Sequence, residues 1–287
     1  MRCGVVILPE DSWTETRGRW VAAEEMGFDH AWTYDHLVWG GLPDSPWYGA
    51  LPVLAAAAAV TERIGVGTFV TSPNYRHPYV YFRDLLALQD ISQGRMLCGL
   101  GTGGDLDAQL LGDELTLKER VDRFHEFVQA LDRLAREDHV DLDGPRYRTR
   151  DARTLPGSTR QPSVPLVIAA NGPRVLRLAA RLGQGWVTYG KGGETLEAWW
   201  EGVADLSRRL DEAEAAAERV TPLDRYLSLD GSPRFSLESV GLFEDMAGRA
   251  RELGFTDVVT HWPRREGVYA GQEAVLEEVA SRFARLR

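Results

Sequence analysis

Cysteine is scarce: only Cys3 and Cys98 occur in 287 residues. Both fall in strand-like apolar runs, so they read as buried thiols rather than as a disulfide framework, and two cysteines alone cannot hold a metal cluster. Basic residues are also short, with 33 Lys and Arg against 43 Asp and Glu and a net charge of −10. That balance argues against a nucleic-acid surface and against an anionic-membrane binder. Long hydrophobic runs are missing too. The longest, Ala50–Val60, is too short to span a bilayer and is Ala-rich like a packed helix. No charged n-region and apolar h-region open the chain, so the expected location is the cytoplasm. Without HExxH, or His-x-His on the first strand, no metal site is expected. GxSxG is absent, which weakens serine hydrolysis, and Gly101–Gly104 lacks the spacing of a dinucleotide fingerprint. No strand end carries the paired glutamates of a retaining glycosidase.

What is present is alternation. Short apolar runs, expected as strands, cover Cys3–Leu8, His30–Tyr34, Ile64–Val70, Met96–Leu100, Pro165–Ala169, Gly185–Tyr189, Tyr226–Leu229 and Asp257–His261. Helix-periodic segments stand between them, such as Tyr79–Ile91 and Leu117–Arg136, the latter with Phe124, Phe127, Val128, Leu131 and Leu134 at helical spacing. A weak repeat of helix end, Gly and strand recurs at Gly27, Gly183 and Gly254. Eight such units in a chain of this length predict an α/β fold, a single-domain (β/α)8 TIM barrel over residues 1–287. A doubly wound open sheet is the structural alternative. Residues 138–163, polar and rich in Gly and Pro, are expected to form an irregular insertion.

In a barrel the chemistry sits at the carboxyl ends of the strands. Those ends carry Asp35-His36 and Trp39, Thr68-Phe69-Val70, Gly101–Gly104, Ala170-Asn171-Gly172, Tyr189–Gly193 and His261–Arg265. Glycines let a flat ring approach the backbone, and aromatics such as Trp39, Phe69, Tyr189 and Trp262 can wall it. Lys191 in its glycine loop, with Arg264 and Arg265, suits a phosphate. Each has a plainer reading. His36 can serve as a loop hydrogen-bonding group, Trp39 as an anchor, Lys191 as a solvated charge, and His77 as a helix cap.

Three stretches carry a resemblance: Thr61-Glu62-Arg63-Ile64-Gly65-Val66-Gly67-Thr68, Tyr75-Arg76-His77-Pro78, and Ser92-Gln93-Gly94-Arg95 leading to Gly99-Leu100-Gly101. Ala169–Pro173 with Gly185-Trp186 adds a fourth. With these motifs the chain resembles the bacterial luciferase-like superfamily of flavin and deazaflavin oxidoreductases, which are (β/α)8 barrels. It looks most like the branch that uses coenzyme F420, an 8-hydroxy-5-deazaflavin. The resemblance implies His36 and Trp39 as catalytic residues and a cis peptide at Phe69–Val70. It also implies cofactor contacts from Asp35, Thr68, Phe69, Val70, Asp107, Ala170, Asn171, Gly172 and Lys191. Sugar-phosphate dehydrogenases of that branch place a glutamate just after the fourth strand, where this chain has Gly104.

The implied reaction is hydride transfer between the deazaflavin and a small organic substrate, with His36 as acid/base. Trp39 and Trp262 would shape the pocket. A homodimer is expected from the same resemblance. An FMN-dependent monooxygenase is the alternative, and a non-catalytic flavin-binding barrel or a cofactor-free sugar-binding barrel are others.

Overall fold

The apolar runs pair as parallel strands. A computed structural model describes residues 1–157 and 163–286. The first half of the sheet is β1 (Arg2–Val6), β2 (His30–Thr33), β3 (Gly65–Thr68) and β4 (Met96–Leu100). A separate antiparallel pair follows, β5 (Val140–Asp143) and β6 (Arg148–Ala152). The sheet then continues with β7 (Leu166–Ala169), β8 (Gly185–Thr188), β9 (Asp224–Ser228) and β10 (Asp257–His261). The parallel strands close in the order β1-β10-β9-β8-β7-β4-β3-β2. This is the expected (β/α)8 barrel.

The helices form the outer layer: α1 (Trp13–Glu25), α2 (Ala50–Val60), α3 (Pro78–Ile91), α4 (Asp105–Leu110), α5 (Leu117–Arg136), α6 (Pro173–Leu182), α7 (Leu196–Ala216), α8 (Val240–Glu252), α9 (Glu273–Ala280) and α10 (Phe283–Leu286). Their starts follow from local chemistry. Ahead of α5, Glu119 accepts the Thr116 backbone N–H at 2.9 Å while Thr116 Oγ1 accepts that of Glu119 at 3.3 Å, a reciprocal capping box. One face of α5 buries Phe124, Phe127, Val128, Leu131 and Leu134, as its periodicity requires. Among the described residues no helix is long and apolar enough to cross a membrane.

The barrel has two apolar layers. Val6, Trp32, Val167, Val187, Tyr226 and Val259 fill its interior, while the larger cluster lies between strands and helices. Trp32 is accommodated by the absence of a side chain at Gly67. A Cβ there would meet the Leu97 carbonyl at 2.4 Å and the Trp32 ring at 2.7 Å.

Three expectations change. The supposedly irregular insertion contains the β5–β6 hairpin, which lays Tyr147 against Phe127 and His77; residues 158–162 of that stretch lie outside the described residues. The chain after β4 makes the short helix α4. Gly27 and Gly254 are left-handed, with φ of 86° and 84°, but Gly183 is not. There a Cβ would sit 2.8 Å from the Ala179 carbonyl, so close approach explains that glycine.

Candidate active site

The carboxyl ends of the strands surround a cavity of about 340 Å³. Phe69, Val70, Ala169 and Val187 form an apolar wall, and Tyr34, His36, Trp39 and Tyr269 face it. The Phe69–Val70 peptide bond is cis, as the resemblance implies.

His36 follows β2 by three residues. Its Nδ1 lies 2.7 Å from Oδ2 of Asp107, on the first turn of α4. The other oxygen of Asp107 accepts the backbone N–H of Leu37 at 2.8 Å. Asp107 is 1% exposed. Burial pushes its carboxyl up, but the His36 hydrogen bond and charge and the Leu37 and Val38 amides outweigh that and hold it below its ordinary range. A carboxylate only accepts, so Nδ1 carries a proton, and in the neutral ring Nε2 keeps its lone pair. Trp39 stacks on Tyr269, with ring centroids 5.9 Å apart and planes 11° apart, and meets Tyr34 edge-on at 5.2 Å.

A second histidine stands at the end of β10. His261 Nδ1 is 2.8 Å from Asp230 Oδ2, and its Nε2 is 2.8 Å from the Tyr34 hydroxyl. Tyr34 in turn lies 3.2 Å from the Tyr269 hydroxyl. Desolvation first, and the neighbouring Tyr269, push the Tyr34 phenol well above its ordinary value.

Several expected contacts fall elsewhere. Asp35 does not line the cavity. It is 3% exposed and its carboxylate is gripped by Arg76 at 2.7 and 2.9 Å and by Thr71 Oγ1 at 2.7 Å. Thr68 is buried beneath the floor, donating to the Gly99 carbonyl. Asp107 does not line the cavity either; its two oxygens are bonded to His36 and to the Leu37 backbone. Trp262 does not line this cavity; its indole donates to Glu273 at 2.9 Å, and Tyr269 takes the place expected of it.

The remaining residues form the rim beside the cavity. Ala170 is buried and its carbonyl accepts the Trp186 indole N–H. Asn171 ties the end of β7 to the next loop, donating to the Gly190 carbonyl and accepting from Thr188 Oγ1, both at 2.7 Å. Gly172 is the N-cap of α6, and the space where its side chain would be is open. Lys191 is paired with Asp205, and Arg264 with Glu10 at 2.6 Å.

Tyr34, Asp230 and Tyr269 were not singled out from sequence. Period two along a strand puts Trp32, Tyr34 and His36 on one side, which was a usable signal. Asp230 lies two positions beyond β9, and Tyr269 sits in a loop eight positions beyond β10.

The luciferase-like monooxygenase model matches residues 1–226. An F420-dependent glucose-6-phosphate dehydrogenase of Beutenbergia cavernae is 37% identical over 71% of this chain and 62% of its own length. One of Intrasporangium calvum is 35% identical over 81% of this chain and 70% of its own. The chain thus spans less than two thirds of the first of these relatives. Among solved structures, the coenzyme F420 dependent tetrahydromethanopterin reductase of Methanopyrus kandleri shares the fold, with a TM-score of 0.78, 19% identity and coverage of 100% of this chain and 99% of its own. Closed barrel, mouth cavity and family match agree, and the chain belongs to the luciferase-like monooxygenase family.

Proposed function

We propose that the chain is an oxidoreductase using coenzyme F420, exchanging a hydride between the deazaflavin and a small organic substrate at the barrel mouth. The observation that carries this reading is His36, oriented by Asp107, with its free nitrogen lone pair beside a flat apolar wall. The relatives described above, named as F420-dependent enzymes, support the choice of cofactor.

The residues present fit the group. The apolar face of Phe69, Val70, Ala169 and Val187 suits a planar ring. Gly104, Gly172 and Gly192 each leave open space where a Cβ would be, so a ligand tail can approach the backbone at the rim. Asp205 holds Arg208 and Arg209 as well as Lys191, so Lys191 can turn to a phosphate without leaving that carboxylate bare. When bound, the deazaflavin supplies a ring carbon that takes or gives hydride. His36 holds or moves a proton at Nε2, Asp107 keeps the ring in the required tautomer, and Trp39 with Tyr34 walls the substrate side. The assembly we propose, on the family resemblance, is a homodimer.

His36→Ala tests the reading. Assayed with F420 against alcohols, ketones and glucose 6-phosphate, the variant is expected to lose about 100-fold or more in kcat while binding F420 as wild type does. Unchanged turnover would remove His36 from the chemistry.

A further inference from the structure

The second histidine has no part in that account, yet it is built into the same cavity. His261 and Asp230 side chains are each 1% exposed. Asp230 is fully engaged: Oδ1 accepts the Ser236 N–H at 2.8 Å, and Oδ2 accepts the His261 backbone N–H at 2.8 Å and Thr260 Oγ1 at 3.2 Å. Tyr269 stacks on the His261 ring at 3.7 Å and 13°. The remaining outlet of His261 is Nε2, and it meets the Tyr34 hydroxyl. Because Asp230 accepts from Nδ1, Nε2 of the neutral ring accepts from Tyr34. Tyr269 is then the donor across its 3.2 Å contact with Tyr34, and the second lone pair of the Tyr34 oxygen is left to offer the cavity.

We propose that Tyr34, backed by His261 and Asp230, is the station that binds the oxygen of an uncharged carbinol or carbonyl substrate and passes its proton. The inference rests on the hydride-transfer reading above and names its substrate class; it gives the carbinol proton to Tyr34 and leaves to His36 the proton on the cofactor side. In the oxidising direction the carbinol C–H bond would break and its electron pair would leave as hydride, which the oxidised deazaflavin, when bound, would accept. The O–H proton goes to Tyr34 as the Tyr34 proton goes to His261 Nε2, and a C=O bond forms. The products are a carbonyl compound, the hydride-reduced cofactor and an imidazolium held by Asp230. In reverse, protonated His261 donates to Tyr34, which donates to the carbonyl. Tyr34 is a conduit throughout, in keeping with a phenol whose burial disfavours the anion. Tyr34 touches the substrate; His261 and Asp230 are positioning residues that act through it.

The uncharged class follows from the walls. Among the described residues, no cavity-lining side chain is Lys or Arg. Around the rim, Arg76 is paired with Asp35, Arg120 with Asp105, and Arg264 with Glu10. Asp105 is therefore spoken for, and no carboxylate replaces the glutamate that Gly104 lacks. A phosphorylated sugar would bring two negative charges to a lining without a cation, with Lys191 at the rim left to the cofactor's own phosphate.

Nitrogen-15 NMR of histidine-labelled protein tests this without turnover, because oxidised F420 and cyclohexanone cannot exchange hydride. The groups facing His261 are Asp230, Thr260, Tyr34 and Tyr269, and His36 lies beyond Tyr34 and reports through its own resonances. Free protein should show the His261 Nδ1 resonance as the protonated nitrogen, held by Asp230. Cyclohexanone should draw His261 toward imidazolium and bind more tightly as pH falls, since bound carbonyl and proton stabilise each other. Cyclohexanol should do the reverse. Tyr34→Phe should abolish both spectral responses and weaken cyclohexanone binding about five- to tenfold. Asp230→Asn is a second, independent break with the same expected loss of response. A His261 spectrum blind to cyclohexanone in wild type, or equally responsive in Tyr34→Phe, overturns the proposal, as does tighter binding of glucose 6-phosphate than of cyclohexanone. Failure of F420 to bind would instead sink the cofactor reading, because the histidine spectrum reports ketone binding with or without it.

Discussion

The proposed chemistry needs His36 in one tautomer, and Asp107 selects it. The 2.7 Å contact fixes the ring and places the proton on Nδ1. Asp107→Ala should therefore cut kcat about 100-fold and leave F420 affinity within about twofold, measured by steady-state kinetics and fluorescence titration; an unaltered kcat would show that the pair is only structural. His36 was legible because it follows an apolar strand directly. The role of Asp107 was not, since the two residues are 71 positions apart and one sequence does not reveal that contact. The resemblance assigned Asp107 and Asp35 to the cofactor by position alone. The folded chain spends them on His36 and on Arg76, which are partners that alignment by position does not weigh. The role of Tyr34 was not legible, because its hydroxyl matters only once His261 comes within reach across the barrel.

At the scale of elements, close approach decides where side chains can exist. Strands β2, β3 and β4 pack a tryptophan inside the barrel by leaving Gly67 bare. Gly67→Ala should cost about 1–3 kcal/mol in chemical denaturation, because its Cβ would lie 2.4 Å from the Leu97 carbonyl. Gly18, in α1 with nothing within 4 Å, is the control, and Gly18→Ala should gain up to about 1 kcal/mol. If both changes behave alike, the packing account of Gly67 is wrong. The long helices were legible from periodicity, as the buried stripe of α5 shows. The β5–β6 hairpin was not, although Val140 and Leu142 alternate with Asp141 and Asp143 and the strand is buried and exposed in the same alternation. Four residues of alternation are a short signal beside a polar composition. The site loops after β9 and β10 escaped for a related reason: Asp230 and Tyr269 sit in irregular backbone with no period to read.

Over the whole molecule, closure of the barrel depends on joining the first strand to the last. Arg2 of β1 and Asp257 of β10 do so with bonds of 2.7 and 2.8 Å, and His30 adds one of 2.9 Å from β2. Burial raises the Asp257 carboxyl, but the bonds from His30 and Arg2 prevail and depress it. A depressed acid contributes stability that is present above its ordinary titration range and lost as pH falls through its native value. Asp257→Asn should thus lower stability by about 3 kcal/mol at neutral pH and flatten the acid limb of a stability-against-pH curve; a variant with the wild-type acid limb would contradict this. The eight-fold alternation made the barrel readable, whereas its closing pair spans 255 positions and was not. Closure also gathers the strand ends into the one cavity on which the functional account depends. The most direct test of that account is an equilibrium titration of the protein with F420 and, separately, with FMN, following tryptophan fluorescence, in wild type and in Ala169→Trp, which fills the apolar wall. The expected result is saturable binding of F420 at one site per chain, much weaker binding of FMN, and loss of F420 binding in the filled variant. Tight FMN binding without F420 binding, or F420 binding untouched by Ala169→Trp, would contradict it.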